Sequence, residues 1–427
     1  MQKFEKINRV SGTIEYKGDK SISHRAVIFA CMADGISKIS NLSGSEDVNS
    51  TAGIFKSLGC EINNEGKDLI IKGRGYKGFK ATSSYLDAGN SGTTARLLSG
   101  LLMNQNFSST MIGDESLSQR PMKRIIEPLR QMGGNFFPTD ENTLPMRIEP
   151  SNNIAPINYV LPIPSAQIKS AIVLSALHLD EPSTIIENLP SRNHTELMLN
   201  LRVEQKDSQN IITASKKNYP NPFEIFVPGD ISSAAFFIVL TLLSKDSELT
   251  INNVSLNPQR AYYVELLKQM GADIEIQPVK SSLGEPIGNL IVRSSKLKNI
   301  TIPASAIPLI IDELPVLTIC GLMAEGDFEF LHAAELRVKE SDRISAMVKN
   351  LRALGVEVEE FPDGLHIVKS ENQLNESPVF DSFGDHRIAM SFGILSLILE
   401  SGGSINNFEC VNISNPDFVK QIQGIVK

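Results

Sequence analysis

A two-domain α/β architecture, with three βαβαββ units in each domain, is the fold this sequence predicts. Two observations carry that expectation. The chain repeats one pattern six times, and the pattern alternates strand-like runs with small, apolar helices. Self-similarity at a fixed spacing outranks any single short motif as a guide to architecture. The helix openings fall near Lys20, Asn90, Ser165, Ile231, Asp312 and Asp385, at spacings of 70, 75, 66, 81 and 73 residues. A period of this length is longer than the roughly 20–50 residues of most solenoid repeats. It suits compact α/β units gathered about a common axis.

Each copy follows the same order. A strand ends in a short turn, and the turn opens a helix such as KSISHRAVIFACM or ISSAAFFIVLTLL. A second strand then closes on a polar residue, as in ISKISN and STIIEN. In four copies a second helix stops at glycine before a β pair, in LGCEI, MGGNFF, MGADIEI and LGVEVEE. The third copy reads LMLNLRVEQKD and lacks that glycine, so its second helix is expected to end differently. Six units exceed one core, because cores stop growing near ~250–300 residues. The expected division is a domain over 19–228 and a discontinuous one over 1–18 and 229–427. The strand before Lys20 has no copy of its own and is assigned to the C-terminal half.

Composition is that of an ordinary globular chain, 41% hydrophobic and 21% charged. The longest apolar runs, such as AAFFIVLTLL, are about half a bilayer span. The start, MQKFEKINRV, lacks an apolar signal core. Four cysteines, Cys31, Cys60, Cys320 and Cys410, form no CxxC pair, and the three that lie in or beside apolar repeat segments read as buried free thiols. A cytoplasmic protein is the expectation. The net charge of −8 argues against a non-specific nucleic-acid or membrane surface. Yet Lys20, Arg25, Arg96, Arg120, Lys123, Arg124, Lys169, Arg192, Lys339, Arg343 and Arg387 gather at the helix openings and nearby loops. Any one of them alone reads as a solvated ion pair. Their recurrence points instead to small anions, since a helix N-terminus offers unpaired N–H groups and about half a positive charge.

Individual motifs sharpen this. In GDKSISHR, Ser21 and Arg25 are four apart and share a helix face with Lys20 nearby. In DAGNSGTTAR, Gly89 and Gly92 let the backbone approach a ligand, although neither nucleotide-loop glycine pattern is present. VKESDR places Glu340 between Lys339 and Arg343, which serves either acid–base chemistry or charge balance. In GDHR, Arg387 opens the last helix, and His386 is either catalytic or a hydrogen-bonding helper.

GDKSISHRA, LDAGNSGTTARLL, QRPM, PSAQIKSA, SRNHTE, GDISSAAFF, ELRVKESDR and GDHRIAM, taken in order across nearly the whole chain, resemble the 3-phosphoshikimate 1-carboxyvinyltransferase (5-enolpyruvylshikimate-3-phosphate synthase) family of enolpyruvyl transferases. The resemblance implies the same two-domain fold, with the active site in the interdomain cleft. It implies transfer of the enolpyruvyl group of phosphoenolpyruvate to the 5-hydroxyl of shikimate 3-phosphate, with release of phosphate, by addition and elimination. No cofactor and no metal are expected, the partners are the two small substrates, and the enzyme is expected to be a monomer. By motif match, Lys20, Ser21, Arg25, Ser165, Ala166, Gln167, Arg192, Asp312 and Lys339 would hold shikimate 3-phosphate. Lys20, Asn90, Gly92, Arg120, Gln167, Arg343 and Arg387 would hold phosphoenolpyruvate. Asp312 would be the base toward the hydroxyl, with Glu340 and Lys20 handling the proton at the methylene carbon. The domains would stand apart without ligand and close on the first bridging anion.

The resemblance also names rivals. A transferase acting on UDP-N-acetylglucosamine shares the fold but usually carries a reactive Cys where this chain reads IGDESLSQRP. RNA 3′-phosphate cyclases use related units, but the acidic chain, with no Trp and no basic stripe, argues against nucleic acid. A non-catalytic anion-binding module would have no need of Lys20, Asp312 and Glu340 together. Two positions depart from relatives: Ile413, where some carry a Lys that touches phosphoenolpyruvate, and Asn415, where an aromatic is commoner.

Overall fold

Six helices lined with apolar residues on every side must be surrounded by protein, and the computed structural model, which describes residues 1–369 and 374–426, buries all six. They are α1 (Lys20–Met32), α2 (Gly92–Leu102), α3 (Ala166–Ala176), α4 (Ile231–Leu243), α5 (Leu314–Met323) and α6 (His386–Ile398). In α1 every residue from Ile22 to Met32 is buried, and in α5 every residue from Leu314 to Leu322. Small residues allow this density. A Cβ on Gly100 of α2 would lie 2.0 Å from the carbonyl oxygen of Ala171 in α3.

The starts of these helices follow from their capping residues. Asp19, Ser91, Ser165, Asp230 and Asp385 each accept a hydrogen bond from a backbone N–H in the first turn, satisfying one of the orphan donors there. The fifth opening differs: Glu313 makes no side-chain cap, and Pro315 occupies the first turn, where a missing N–H costs nothing. The second helices, Glu46–Ser57, Lys123–Gln131, Tyr262–Gln269 and Arg343–Ala353, run into Gly59, Gly133, Gly271 and Gly355, with φ between 91° and 99°. In the third copy the helix is only His194–Met198, and Asn200 takes the left-handed position at φ 47°. Asn is the residue that best replaces Gly there, so the third copy keeps the stop signal in another residue.

The described residues form six sheets. In the second copy, Leu86–Asp87 pairs in parallel with Ser109–Ile112, which pairs antiparallel with Met146–Glu149, and Asn135–Phe137 completes the sheet. The third copy repeats this order with Asn158–Val160, Ser183–Glu187, Gln209–Ala214 and Arg202–Lys206. Two strands change places. Ser11–Glu15, just before α1, pairs in parallel with Glu248–Ser255. Glu224–Phe226, just before α4, pairs in parallel with Ile36–Ser40. Gln2–Phe4 joins the last sheet against Gly403–Asn406.

The chain accordingly divides into two compact units. The first comprises Lys17–Pro228 with Ser281–Glu285, and the second Met1–Tyr16, Gly229–Lys280 and Pro286–Lys427. Each has its own apolar core. The first crossing falls between Tyr16 and Lys17, not after residue 18, because Gly18 is wedged in the first unit. A Cβ there would lie 2.2 Å from the Asn41 carbonyl oxygen and 2.6 Å from Val227 Cγ1. The assignment of Ser281–Glu285 to the first unit has no counterpart in the sequence pattern, which carries 229–427 as one block. Among the described residues no single helix is long and apolar enough to cross a membrane; one bent pair, Ala304–Ile310 with Leu314–Met323, passes by length and composition only.

Two consequences are measurable. Gly100→Ala forces a methyl against the α3 backbone and is expected to cost about 1–3 kcal/mol, as overpacking does; urea unfolding would read it. The second concerns acid. Burial lowers His24 to about 3 and His178 to about 4. A histidine held below its unfolded value takes up its proton only on unfolding, so its contribution is present above pH ~6.5 and is lost as pH falls toward the folded value. At pH 5 each should therefore withdraw on the order of 2 kcal/mol relative to pH 7. His178→Gln should reduce the loss between pH 7 and pH 5 by about that amount, as measured by denaturant midpoints at the two pH values.

Candidate active site

The repeat gives equivalent positions, and the second residue of each core helix is the instructive one. It is Ser21 in α1, Thr93 in α2, Gln167 in α3, Ser232 in α4 and Arg387 in α6, with Pro315 in α5. Five of these six residues are polar, at the end of the helix where backbone N–H groups lack intrahelical partners.

In the first unit, Lys20 Nζ lies 2.9 Å from Asp47 Oδ2, with the lysine side chain about a quarter exposed. Arg25 is 3% exposed and is held by neutral groups alone. Its Nε donates to Thr195 Oγ1 at 2.7 Å, Nη2 to Ser170 Oγ at 2.8 Å and Nη1 to the Ser21 carbonyl at 3.0 Å. Among the described residues no carboxylate stands within ion-pair distance of it. Burial lowers the guanidinium to about 10; the more distant Glu196 and Glu285 oppose this, and the positive charge of Arg192 adds to it. Hydroxyls and a carbonyl orient this buried cation without cancelling its charge. Ser165 caps α3, Ala166 opens it, and Gln167 is fixed from both sides. Arg96 Nη1 donates to Gln167 Oε1 at 2.8 Å, and Gln167 Nε2 to Thr93 Oγ1 at 3.3 Å. Arg120 Nη2 donates to Asn90 Oδ1 at 2.8 Å and Ser116 Oγ at 3.1 Å, while Asn90 Nδ2 donates to Asp114 Oδ2 at 2.7 Å. Gly92 opens α2, and a Cβ there would come within 3.2 Å of Arg96 Nη1. A larger residue would push on the arginine that orients Gln167.

The second unit solves its electrostatics differently. Arg343, 1% exposed, is gripped by three acids. Its Nε donates to Asp385 Oδ2 at 2.7 Å, Nη2 to Glu340 Oε2 at 2.6 Å and Nη1 to Asp312 Oδ1 at 3.4 Å. Burial alone would lower its pKa, but Asp385, Glu340 and Asp312 together raise it well above the ordinary value. Arg387 Nη1 donates to the Asp312 carbonyl at 2.7 Å and to Ser232 Oγ at 2.9 Å. Lys339 Nζ lies 3.2 Å from Glu335 Oε1. Three residues absent from the sequence expectation complete the cluster. Ser232 also donates to buried Glu313, and Glu313 Oε1 receives Arg260 Nη1 at 2.9 Å. The repeat held a signal for Ser232, which occupies the helix position of Ser21. Arg260 and Glu313 gave none.

Two of the gathered cations do not belong with the others. Lys169 is fully buried between Glu187 at 2.8 Å and Glu196 at 2.5 Å, so its charge is spent inside the fold. Lys123 faces solvent in an i,i+4 pair with Glu127 at 3.6 Å. His386 is buried at the start of α6.

The family model described as EPSP synthase (3-phosphoshikimate 1-carboxyvinyltransferase) matches residues 4–422. The chain belongs to that family. The 3-phosphoshikimate 1-carboxyvinyltransferase of Petrotoga mobilis is 45% identical, with 97% of each chain covered. That of Caldicellulosiruptor saccharolyticus is 43% identical over 99% of this chain and 98% of its own. Among solved structures, the EPSP synthase of Acinetobacter baumannii is 36% identical with a TM-score of 0.85, covering 99% of this chain and 97% of its own. The enolpyruvyl transferase NikO of Streptomyces tendae, at 14% identity and a TM-score of 0.73 over 100% and 97% of the two chains, shares the fold. Within the EPSP synthase family frame, the loop IGDESLSQRP folds as a one-turn helix, Glu115–Ser118, capped by Asp114, with no cysteine in it. The two departures near the C-terminus also acquire surroundings. Ile413 ends a 3-10 helix, Phe408–Ile413, and Asn415 Nδ2 donates to Gln421 Oε1 at 2.9 Å, tying the turn to the helix Phe418–Ile425.

The two discordant lysines make a paired test of the electrostatic sorting. Lys169→Met strands two buried carboxylates and should cost about 3–5 kcal/mol, whereas exposed Lys123→Met should cost less than about 1 kcal/mol. Guanidinium unfolding of both variants compares them directly.

Proposed function

We propose that this protein transfers the enolpyruvyl group of phosphoenolpyruvate to the 5-hydroxyl of shikimate 3-phosphate and releases phosphate. The observation that carries the reading is Arg25, a buried cation gripped by two hydroxyls and a carbonyl, with no carboxylate in ion-pair range. Such a group is costly unless an anion completes it. In this reading Lys20, Ser21, Arg25, Ser165, Ala166, Gln167 and Arg192 hold shikimate 3-phosphate, together with Asp312 and Lys339. Asn90, Gly92, Arg120, Arg343 and Arg387, with Lys20 and Gln167, hold phosphoenolpyruvate.

The chemistry follows from the second unit's acids. Asp312, whose Oδ1 lies 3.4 Å from Arg343 Nη1, takes the proton of the attacking 5-hydroxyl. Glu340 is bound to the same guanidinium at 2.6 Å. When the substrate's oxyanions occupy Arg343 they displace Glu340, and the added negative charge favours a proton on its carboxyl. Glu340 then delivers that proton to the methylene carbon as the hydroxyl adds at the adjacent carbon. On collapse of the tetrahedral intermediate Glu340, ionised by the first transfer, takes a proton back from the methyl group as phosphate leaves, which restores the double bond, and Lys20, steadied by Asp47, supports both proton transfers. The arginines, with planar forks suited to carboxylate and phosphate, stabilise charge throughout.

The test is phosphate release from phosphoenolpyruvate with shikimate 3-phosphate and UDP-N-acetylglucosamine as rival acceptors. Release only with shikimate 3-phosphate is expected; release only with the nucleotide sugar would overturn the acceptor. Asp312→Ala should lower turnover on the order of 10²–10⁴-fold, as loss of a general base does. A variant that turned over at nearly the full rate would remove Asp312 from the base role.

A further inference from the structure

The short segment Ser281–Glu285 is made within the second half of the chain, yet it packs in the first unit. Its seat is specific. The backbone N–H of Phe226 donates to Ser282 Oγ at 3.0 Å, and a Cβ on Gly284 would lie 2.7 Å from the Leu197 carbonyl oxygen. The segment ends at Glu285, whose Oε1 is 2.7 Å from Nδ1 of His194, and both side chains are fully buried. Neither residue has a part in the reaction as assigned above.

We infer that Glu285 is a positioning residue for the first unit's anion site, acting through His194 on the turn that carries Arg192 and Thr195. The inference rests on the proposed reading in which Arg25 and Arg192 hold shikimate 3-phosphate. Three consecutive side chains of that turn are anchored to three different places. His194 meets Glu285, Thr195 Oγ1 receives Arg25 Nε and sits 2.7 Å from Ser170 Oγ, and Glu196 meets Lys169 at 2.5 Å. The helix they open is only His194–Met198, too short to hold its own register. Its orientation therefore depends on these contacts, and the hydroxyl that aims Arg25 moves with it.

Charge and position predict opposite signs, which makes the inference decidable. Glu285 is one of the acids whose field reaches Arg25. Removing its charge alone would make the site more positive and tighten an anion. Removing its positioning contact would loosen the anion, since misplacement near 1 Å costs up to ~10²-fold.

The experiment uses the full-length enzyme with Glu285→Gln, Glu285→Asp and His194→Gln, reading KM for each substrate, kcat, shikimate 3-phosphate binding by calorimetry and thermal unfolding. Glu285→Asp keeps the charge and most of the packing, and so remains informative should either amide variant fold poorly. The expected result is an approximately tenfold or greater rise in KM and Kd for shikimate 3-phosphate in Glu285→Gln and His194→Gln, with a smaller rise in Glu285→Asp. KM for phosphoenolpyruvate should stay within about twofold, a split that general loosening of the fold would not produce. Unchanged or tighter shikimate 3-phosphate binding in the folded variants overturns the inference, as does an equal rise in KM for both substrates. A wild-type enzyme that released no phosphate with shikimate 3-phosphate would overturn the functional reading itself. Normal wild-type turnover beside unaltered variants overturns the positioning role alone.

Discussion

Burial of the six core helices along their whole length is the constraint from which the remaining features follow. A helix packed on every side can keep a polar side chain along its length only where a buried partner satisfies it, as helix carbonyls do for Ser99, Thr241, Thr318 and Ser396. Its first turn also carries unpaired N–H groups and the positive end of the dipole. Five of the six openings use an Asp or Ser to satisfy one of those donors. The next positions are then free to carry groups that face a ligand. The same packing explains why small residues are needed where α2 meets α3.

Buried cations in this protein fall into three kinds, and the kind is set by what surrounds them. Lys169 lies between two carboxylates and is part of the scaffold. Arg25 is surrounded by hydroxyls and a carbonyl, which orient it without cancelling its charge. Arg343 is held by three acids, so the charge around it is negative where that around Arg25 is neutral. Arg387 stands close to that last group, since it is clasped by Ser232 and the Asp312 carbonyl while Glu313 holds Arg260 behind it.

Much of this was legible in the sequence, for physical reasons. Periodic apolar helices announce themselves because burial favours small and apolar residues along most of their length. Caps announce themselves because few residue types can make them. The pairing of Lys20, Ser21 and Arg25 was visible as helical spacing, and VKESDR showed Glu340 beside Arg343. What stayed hidden was identity of partners. Nothing in QIKSA distinguishes Lys169, which points into acids, from a cation free for a ligand. Glu285 and His194 are 91 residues apart, and no local pattern could join them. Arg260 and Glu313 were missed for the same reason. Asn200 shows the converse case, in which the expected glycine was absent but its backbone conformation was not.

The exchange of strands also governs the order in which the protein can be made. Ser11–Glu15 leaves the ribosome early, but its partner Glu248–Ser255 is encoded far downstream. At ordinary synthesis rates that wait is roughly 10–50 s, during which the strand has an open edge. The first unit can acquire its strands meanwhile, since Glu224–Phe226 closes its opening sheet before the remainder of the second unit is made. It lacks one polar contact, however, because the bond between His194 and Glu285 cannot form until Glu285 emerges. Completion of the early half thus awaits a few residues of the late half, which ties the maturation of one unit to the birth of the other.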